Sequence, residues 1–233
     1  MNKELFIKEI KKLNINLTEN QLQQLEMYFD LLVEENKKYN LTSITNKEDV
    51  YLKHFYDSLT ITKIIDLNNE SICDIGTGAG FPGLVLKIFF PNLKVTLLDS
   101  TQKKCNFLNL VIEKLNLKDI EVINDRAENY SKKVREKYDI VTSRAVAPLK
   151  HLLEYSIPLI KVKGYYIAMK SDITEETKNI NNYYKLLNIN EEKRIVFKLP
   201  LENSLRTLIK YKKNSITNLK YPRKYNEIKK KNL

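Results

Sequence analysis

Apolar positions in the first 65 residues recur with a helical period. Leu5, Phe6, Ile10 and Leu13 mark one helix over residues 3–13. Leu22, Leu25, Phe29, Leu32 and Val33 form the stripe of a longer helix that runs to about Tyr39, and Thr18 with Gln21 has the spacing of a capping box at its start. A third helix is expected over 47–65. From residue 71 the period changes. Short apolar runs at 71–75, 94–98, 120–123, 138–142 and 164–169 read as strands, separated by helical stretches at 83–90, 101–116, 126–135 and 148–160. A helix over 173–187 and strands at 191–198 and 206–213 complete the pattern. Alternating strands and helices predict an α/β chain with a mostly parallel seven-stranded sheet covered on both faces. The expected organisation is a helical N-terminal extension over 1–66, a core over 67–221, and a basic, mobile tail over 222–233.

The first strand runs into the most informative stretch of the chain, ICDIGTGAGFPG at 72–83. It ends in Asp74 and opens into Gly76, Gly78 and Gly80 at alternate positions. The second strand ends in another acid, Asp99, followed by Ser100. Strand, glycine turn, helix, strand and acid are the layout of a site for a nucleoside-containing cofactor, with the second acid placed for ribose hydroxyls. Dinucleotide sites usually have G-x-G-x-x-G. Here the spacing is G-x-G-x-G, and Phe81 stands where the third glycine would be. A carboxylate at Asp74 suits the ammonium of a methionine moiety better than a pyrophosphate. These details favour S-adenosylmethionine over NAD. Duller readings stand beside each residue: Asp99 as a helix cap, Phe81 as core.

Composition and charge narrow the class. With 42% hydrophobic and 30% charged residues the chain is expected to fold as a globular protein. The start, MNKELFIKEIKK, is too charged for a signal peptide, and no apolar run approaches a membrane span. Cys73 and Cys105 are expected as buried thiols, which suits a cytoplasmic setting, and no close pairs of His and Cys suggest a metal. From Arg206 onward there are ten Lys or Arg against one acid, Glu227, so this segment carries +9 of the net +11. Tyr211, Tyr221 and Tyr225 are interleaved with it. Cations for phosphate and rings for bases point to a nucleic-acid partner, with Arg206, Lys210, Lys212, Arg223 and Lys224 as candidate contacts.

With these segments in place the chain resembles the bacterial small-subunit (16S) rRNA guanine-N7 methyltransferase family, also called glucose-inhibited division protein B. The resemblance spans nearly the full length. It rests on NKKYNLTSI at 36–44, HFYDS at 54–58, DIGTGAGFPG at 74–83, LLDS at 97–100, RAE at 126–128, SRA at 143–145 and YPRK at 221–224. It implies a Rossmann-like methyltransferase that uses S-adenosylmethionine and acts on small-subunit ribosomal RNA or a ribosomal particle. It also implies cofactor contacts at Gly76, Phe81, Ala127, Glu128 and Arg144. The chain departs from the family at Ser171, where glycine is common, and beyond Pro222. Guanine N7 carries an in-plane lone pair and needs no deprotonation, so no obligatory base is expected. His54, Asp57, Lys170 and Arg206 remain as candidates for positioning the substrate. For His54 and Asp57, on one face of the third helix, a structural hydrogen bond is an equal reading. Without a large apolar surface stripe, a monomer is expected.

Overall fold

A computed structural model of the chain describes residues 1–178, 180–230 and 233. Asn179, within the helix expected over 173–187, and residues 231–232, within the expected basic tail, lie outside the described residues. Seven strands form one sheet: β1 (Ser71–Ile75), β2 (Lys94–Asp99), β3 (Ile120–Asn124), β4 (Tyr138–Arg144), β5 (Ile160–Lys170), β6 (Ile189–Lys198) and β7 (Leu205–Lys213). Their order is β3-β2-β1-β4-β5-β7-β6. The first five are parallel, and β7 runs antiparallel between β5 and β6. The chain winds outward from β1 in both directions. The carboxyl ends of β1 and β4 therefore border the switch point where such sheets bind ligands.

Ten α-helical segments cover the described sheet. They are α1 (Lys3–Lys11), α2 (Glu19–Tyr39), α3 (Lys47–Asp49), α4 (Asp57–Leu59), α5 (Gly83–Phe89), α6 (Gln102–Lys114), α7 (Ala127–Lys133), α8 (Leu149–Ser156), α9 (Asn181–Leu187) and α10 (Tyr225–Lys230). The period-two alternation of the strands divides the core. Ile72, Val95, Leu97, Ile140 and Ile167 face α5, α6 and the N-terminal helices. Cys73, Ile75, Val141, Tyr166 and Ile209 face α7, α8 and α9. Both cysteines are free and buried.

The N-terminal helices share a continuous apolar core with the first face, and α2 is tied to α5 by polar contacts as well. Thr18 and Gln21 form the capping box. The Gln21 amide also donates to the carbonyls of Ile88 (3.1 Å) and Phe89 (3.3 Å) at the end of α5. One residue thus satisfies the start of one helix and the end of another.

Several elements differ from the sequence pattern. The helix expected over 47–65 is composite: between α3 and α4 lies a π-helical stretch, Val50–Tyr56, and after α4 a 3-10 turn, Thr60–Lys63. The helix expected over 173–187 forms only at Asn181–Leu187. Asp172 accepts from the Thr174 backbone (2.9 Å) and hydroxyl (2.7 Å), and this local bonding competes with helix there. The segment expected as a mobile tail contains α10, with Ile228 buried.

Candidate functional site

The glycine loop leaves β1 through a set of short backbone bonds. The Gly76 and Thr77 amides donate to Leu98 O at 2.7 and 3.2 Å. Gly76, Gly78 and Gly80 have φ of +65°, +63° and +104°, values that a side chain would strain. Asp74 lies buried beneath the loop, where its Oδ2 accepts from Thr77 Oγ1 (2.7 Å) and the Gly83 amide (2.8 Å). Its Oδ1 is buried with no hydrogen-bond partner among the described residues. Burial pushes the Asp74 carboxyl up to about 7, against the hydrogen bonds from Thr77 and Gly83. Asp74 lines neither of the two clefts described below. Through Oδ2 it staples the loop to the start of α5.

A cleft of about 720 Å3 opens at the carboxyl ends of β1, β2 and β3. Gly76, Asp99, Ser100, Ala127, Glu128 and Arg144 line it, six of the residues expected to meet a cofactor. Asp99 holds the loop through Gly78 N (3.0 Å, to Oδ2) and its own turn through Thr101 N (2.8 Å, to Oδ1). Each carboxylate oxygen keeps a further acceptor direction. Glu128 is buried, and among the described residues its only close cation is Arg126, at 3.4 Å. Gly78 and Gly80 shape the loop without lining the cleft. The Phe81 ring is stacked between His54 (4.3 Å between centroids) and Tyr28 (5.5 Å). The Tyr28 hydroxyl donates to Ala79 O, so α2 supports the glycine loop from behind.

The arrangement fits a nucleoside sulfonium cofactor. Bare glycine backbone forms one wall, and a Cβ added at Gly76 would stand 2.5 Å from Val146. Two buried carboxylates, Asp99 and Glu128, offer acceptors for hydroxyls, and the volume suits a ligand of that size.

A second cleft, of about 680 Å3, lies on the β4–β5–β7 side. It shares only residues 144–148 with the first, so that segment is the partition between them. Its floor is a charge cluster drawn from three distant segments. Asp57 accepts from Arg144 Nη1 (3.2 Å) and, with both oxygens, from Arg206 Nε (3.0 and 3.1 Å). Arg144 also donates to Lys53 O (2.8 Å) and meets His54 Nδ1 at 3.1 Å. A guanidinium only donates, so Nδ1 is the acceptor and Nε2–H donates to Thr42 Oγ1 at 3.1 Å. Burial, then the Arg144 charge, lowers the His54 imidazole to about 3, so it is neutral at physiological pH.

Lys170 lines the same cleft but is held within the protein. Its ammonium donates to Ala147 O (2.6 Å) and pairs with Glu176 (2.8 Å), and Glu176 also accepts from Leu149 N (2.6 Å). Lys170 and Glu176 therefore anchor the partition. Other cations expected on an RNA surface are also engaged. Arg206 is bound to Asp57, Lys210 and Lys212 share Glu192 at 2.8 and 3.9 Å, and Arg223 forms a two-pronged pair with fully buried Glu154 (2.9 and 2.8 Å). Arg223 thus anchors the C-terminal segment to α8. Lys224 makes no ion pair among the described residues. Sequence reasoning missed Glu176 and Lys229, and only Lys229 carried a signal, as part of the basic, tyrosine-bearing end.

Among the described residues no group of three or more His, Cys, Asp or Glu is arranged to hold a metal ion, and no helix is long and apolar enough to cross a membrane.

Comparison with solved structures places the fold. The chain matches a SAM-dependent methyltransferase from Aquifex aeolicus with a TM-score of 0.55 at 16% identity, covering 77% of this chain and 97% of that one. It matches TYW2 of M. jannaschii, solved in complex with AdoMet, with a TM-score of 0.56 at 14% identity over 73% of this chain and 78% of that one. At such identities the likeness concerns the Rossmann-like fold alone. Sequence relatives are much nearer. The Ribosomal RNA small subunit methyltransferase G of Bacillus cytotoxicus is 50% identical over 96% of this chain and 95% of its own length, and that of Bacillus thuringiensis is 49% identical over the same shares. The family model for rRNA small subunit methyltransferase G matches residues 21–205, which contain the glycine loop, the Asp57–Arg144 cluster and the partition between the clefts. On this agreement of sequence over nearly its whole length, the chain belongs to the rRNA small subunit methyltransferase G family.

Proposed function

We propose that the protein transfers the methyl group of S-adenosylmethionine to N7 of a guanine in small-subunit ribosomal RNA. The cofactor occupies the cleft walled by Gly76, Asp99 and Glu128, and the guanine enters the adjoining cleft beyond residues 144–148. The observation that carries this reading is the meeting of two ligand-sized clefts at one short partition. It occurs in a chain 50% identical to a ribosomal RNA small subunit methyltransferase G.

When bound, the cofactor supplies a methyl carbon activated by a sulfonium. The protein's part is placement. Gly76 keeps the wall bare, Asp99 accepts from ribose hydroxyls, and Glu128 adds a second acceptor. Asp57 holds Arg144 and Arg206 in fixed positions at the floor of the substrate cleft. In-line alignment of two reactants is a large catalytic effect by itself. The cluster suits a reaction that needs no proton removed. His54 has both ring nitrogens engaged and Asp57 is bound by two arginines, so neither is free to act as a general base. We place the protein in the cytoplasm, acting as a monomer on rRNA or a ribosomal particle.

The test is methyl transfer from labelled S-adenosylmethionine to small-subunit particles and to free rRNA lacking this modification. Products are mapped by cleavage at N7-methylguanine. Incorporation at one guanine is expected. Cofactor binding without incorporation into either substrate would overturn the assignment.

A further inference from the structure

The C-terminal helix α10 belongs to the wall of the first cleft. Tyr225 and Lys229 both line it, beside Arg126 and Glu128. They are four residues apart, hence on one face of the helix. Ile228, between them in the chain, is buried and fastens α10 to the body of the protein. The segment leading to α10 is firmly tied. Arg223 grips buried Glu154, the Arg223 amide donates to the same carboxylate at 2.8 Å, and Arg135 donates to Tyr221 O and Thr217 O at 2.7 Å each. The guanidinium of Arg126 lies over the Tyr225 ring at 5.2 Å.

Sheet order decides which end of the cofactor this wall would touch. The transferred methyl must face the second cleft, at the partition that follows β4. Asp99, at the end of β2, marks the ribose. Continuing along the rim in the same direction reaches the end of β3, where Asp125, Arg126 and Ala127 line the cleft. The base of the nucleoside therefore lies at the β3 end, beside α10.

We infer that Tyr225 and Lys229 are cofactor-binding residues, with the Tyr225 ring against the purine and the Lys229 ammonium donating to an acceptor nitrogen on the base edge. This rests on the assignment of the first cleft to S-adenosylmethionine. The basic end of the chain, which reads in sequence as an RNA contact, thereby contributes to cofactor affinity.

The chain contains no tryptophan, so Tyr225→Trp introduces a single indole reporter at this wall. Titration of that full-length variant with S-adenosylhomocysteine should shift its emission. Adenosine should reproduce the change and methionine should not. By calorimetry, Tyr225→Ala should bind S-adenosylhomocysteine about five- to tenfold more weakly, the size expected for a lost aromatic contact, and Tyr225→Phe should bind as wild type. Lys229→Ala should show a smaller loss. The inference is overturned if calorimetry shows normal binding in Tyr225→Ala and the indole stays indifferent to a saturating ligand. Failure of wild type to bind S-adenosylhomocysteine at all would be a different result, and would sink the cofactor reading together with this one.

Discussion

The two clefts on the rim of the sheet are walled by different materials. The first cleft, proposed for the cofactor, has a bare backbone wall at Gly76, at φ +65°, and two carboxylates that retain acceptor capacity. The second, proposed for the substrate, has a floor of side chains that already satisfy one another: Asp57 is shared by Arg144 and Arg206, His54 is bonded at both nitrogens, and Lys170 is bound by Glu176. A backbone wall tolerates little substitution but leaves polar groups free for a ligand. A saturated side-chain cluster is rigid, and removing one member leaves the others unpaired. The first cleft should therefore lose binding when altered, and the second should lose stability.

The largest effect is expected at Asp57. Asp57→Ala strands two guanidinium groups that are 14% and 21% exposed, and loss of one partner of a buried pair costs about 3–5 kcal/mol. Because both arginines keep some solvent, the low end is expected in denaturant unfolding, with S-adenosylhomocysteine affinity within about twofold of wild type in the protein that remains folded. A Kd that collapses with the stability would merge the two clefts into one unit.

Next is Asp99→Ala. It should weaken S-adenosylhomocysteine binding by about 100-fold, the loss of two hydrogen bonds to a charged acceptor, with a smaller fall in Tm from the unpaired Gly78 and Thr101 amides. Unchanged affinity in a folded variant would remove Asp99 from the cofactor site.

Gly76→Ala should be milder for folding, about 1–2 kcal/mol for a side chain at φ +65°. It should also displace Val146 from the partition and so depress methyl transfer more than binding. Equal losses in both would mean that Val146 does not separate the clefts.

The last effects concern pH, and they have opposite signs. His54 is lowered to about 3, so between pH 3 and 6.5 the unfolded chain binds the extra proton and stability falls as pH falls through that window. His54→Asn should flatten this slope in Tm measured from pH 7 to 4. Asp74 is raised to about 7, so between about pH 4 and 7 the folded chain holds the extra proton and stability falls as pH rises. Asp74→Asn, which can still accept from Thr77 and Gly83, should flatten that opposite slope. A common sign for both residues would refute the assigned environments.

Legibility followed the same division. The glycine loop and Asp99 were readable because they stand in one continuous strand–turn–helix–strand stretch, whereas Glu128, in a later unit, came from the family resemblance. The central strands β1, β2 and β4 were readable from apolar runs, because a strand buried on both faces is apolar along its length. The helix over 173–187 was over-read, since Asp172 diverts the chain into a turn that apolar spacing does not register. The packing of the Phe81 ring was hidden because its partners, His54 and Tyr28, come from other segments.

Alone, the sequence determined the order of strands and helices, the glycine loop and its two acids, and the family, because each is written in contiguous residues. Only the tertiary structure decided where the charge goes. Arg206, Lys210, Lys213 and Arg223 read as one basic segment, yet they pair with Asp57, Glu192, Glu136 and Glu154, between 18 and 149 positions away in the chain. Coulomb attraction acts through space, with a reach of a few ångströms in a folded protein, and takes no account of separation along the chain.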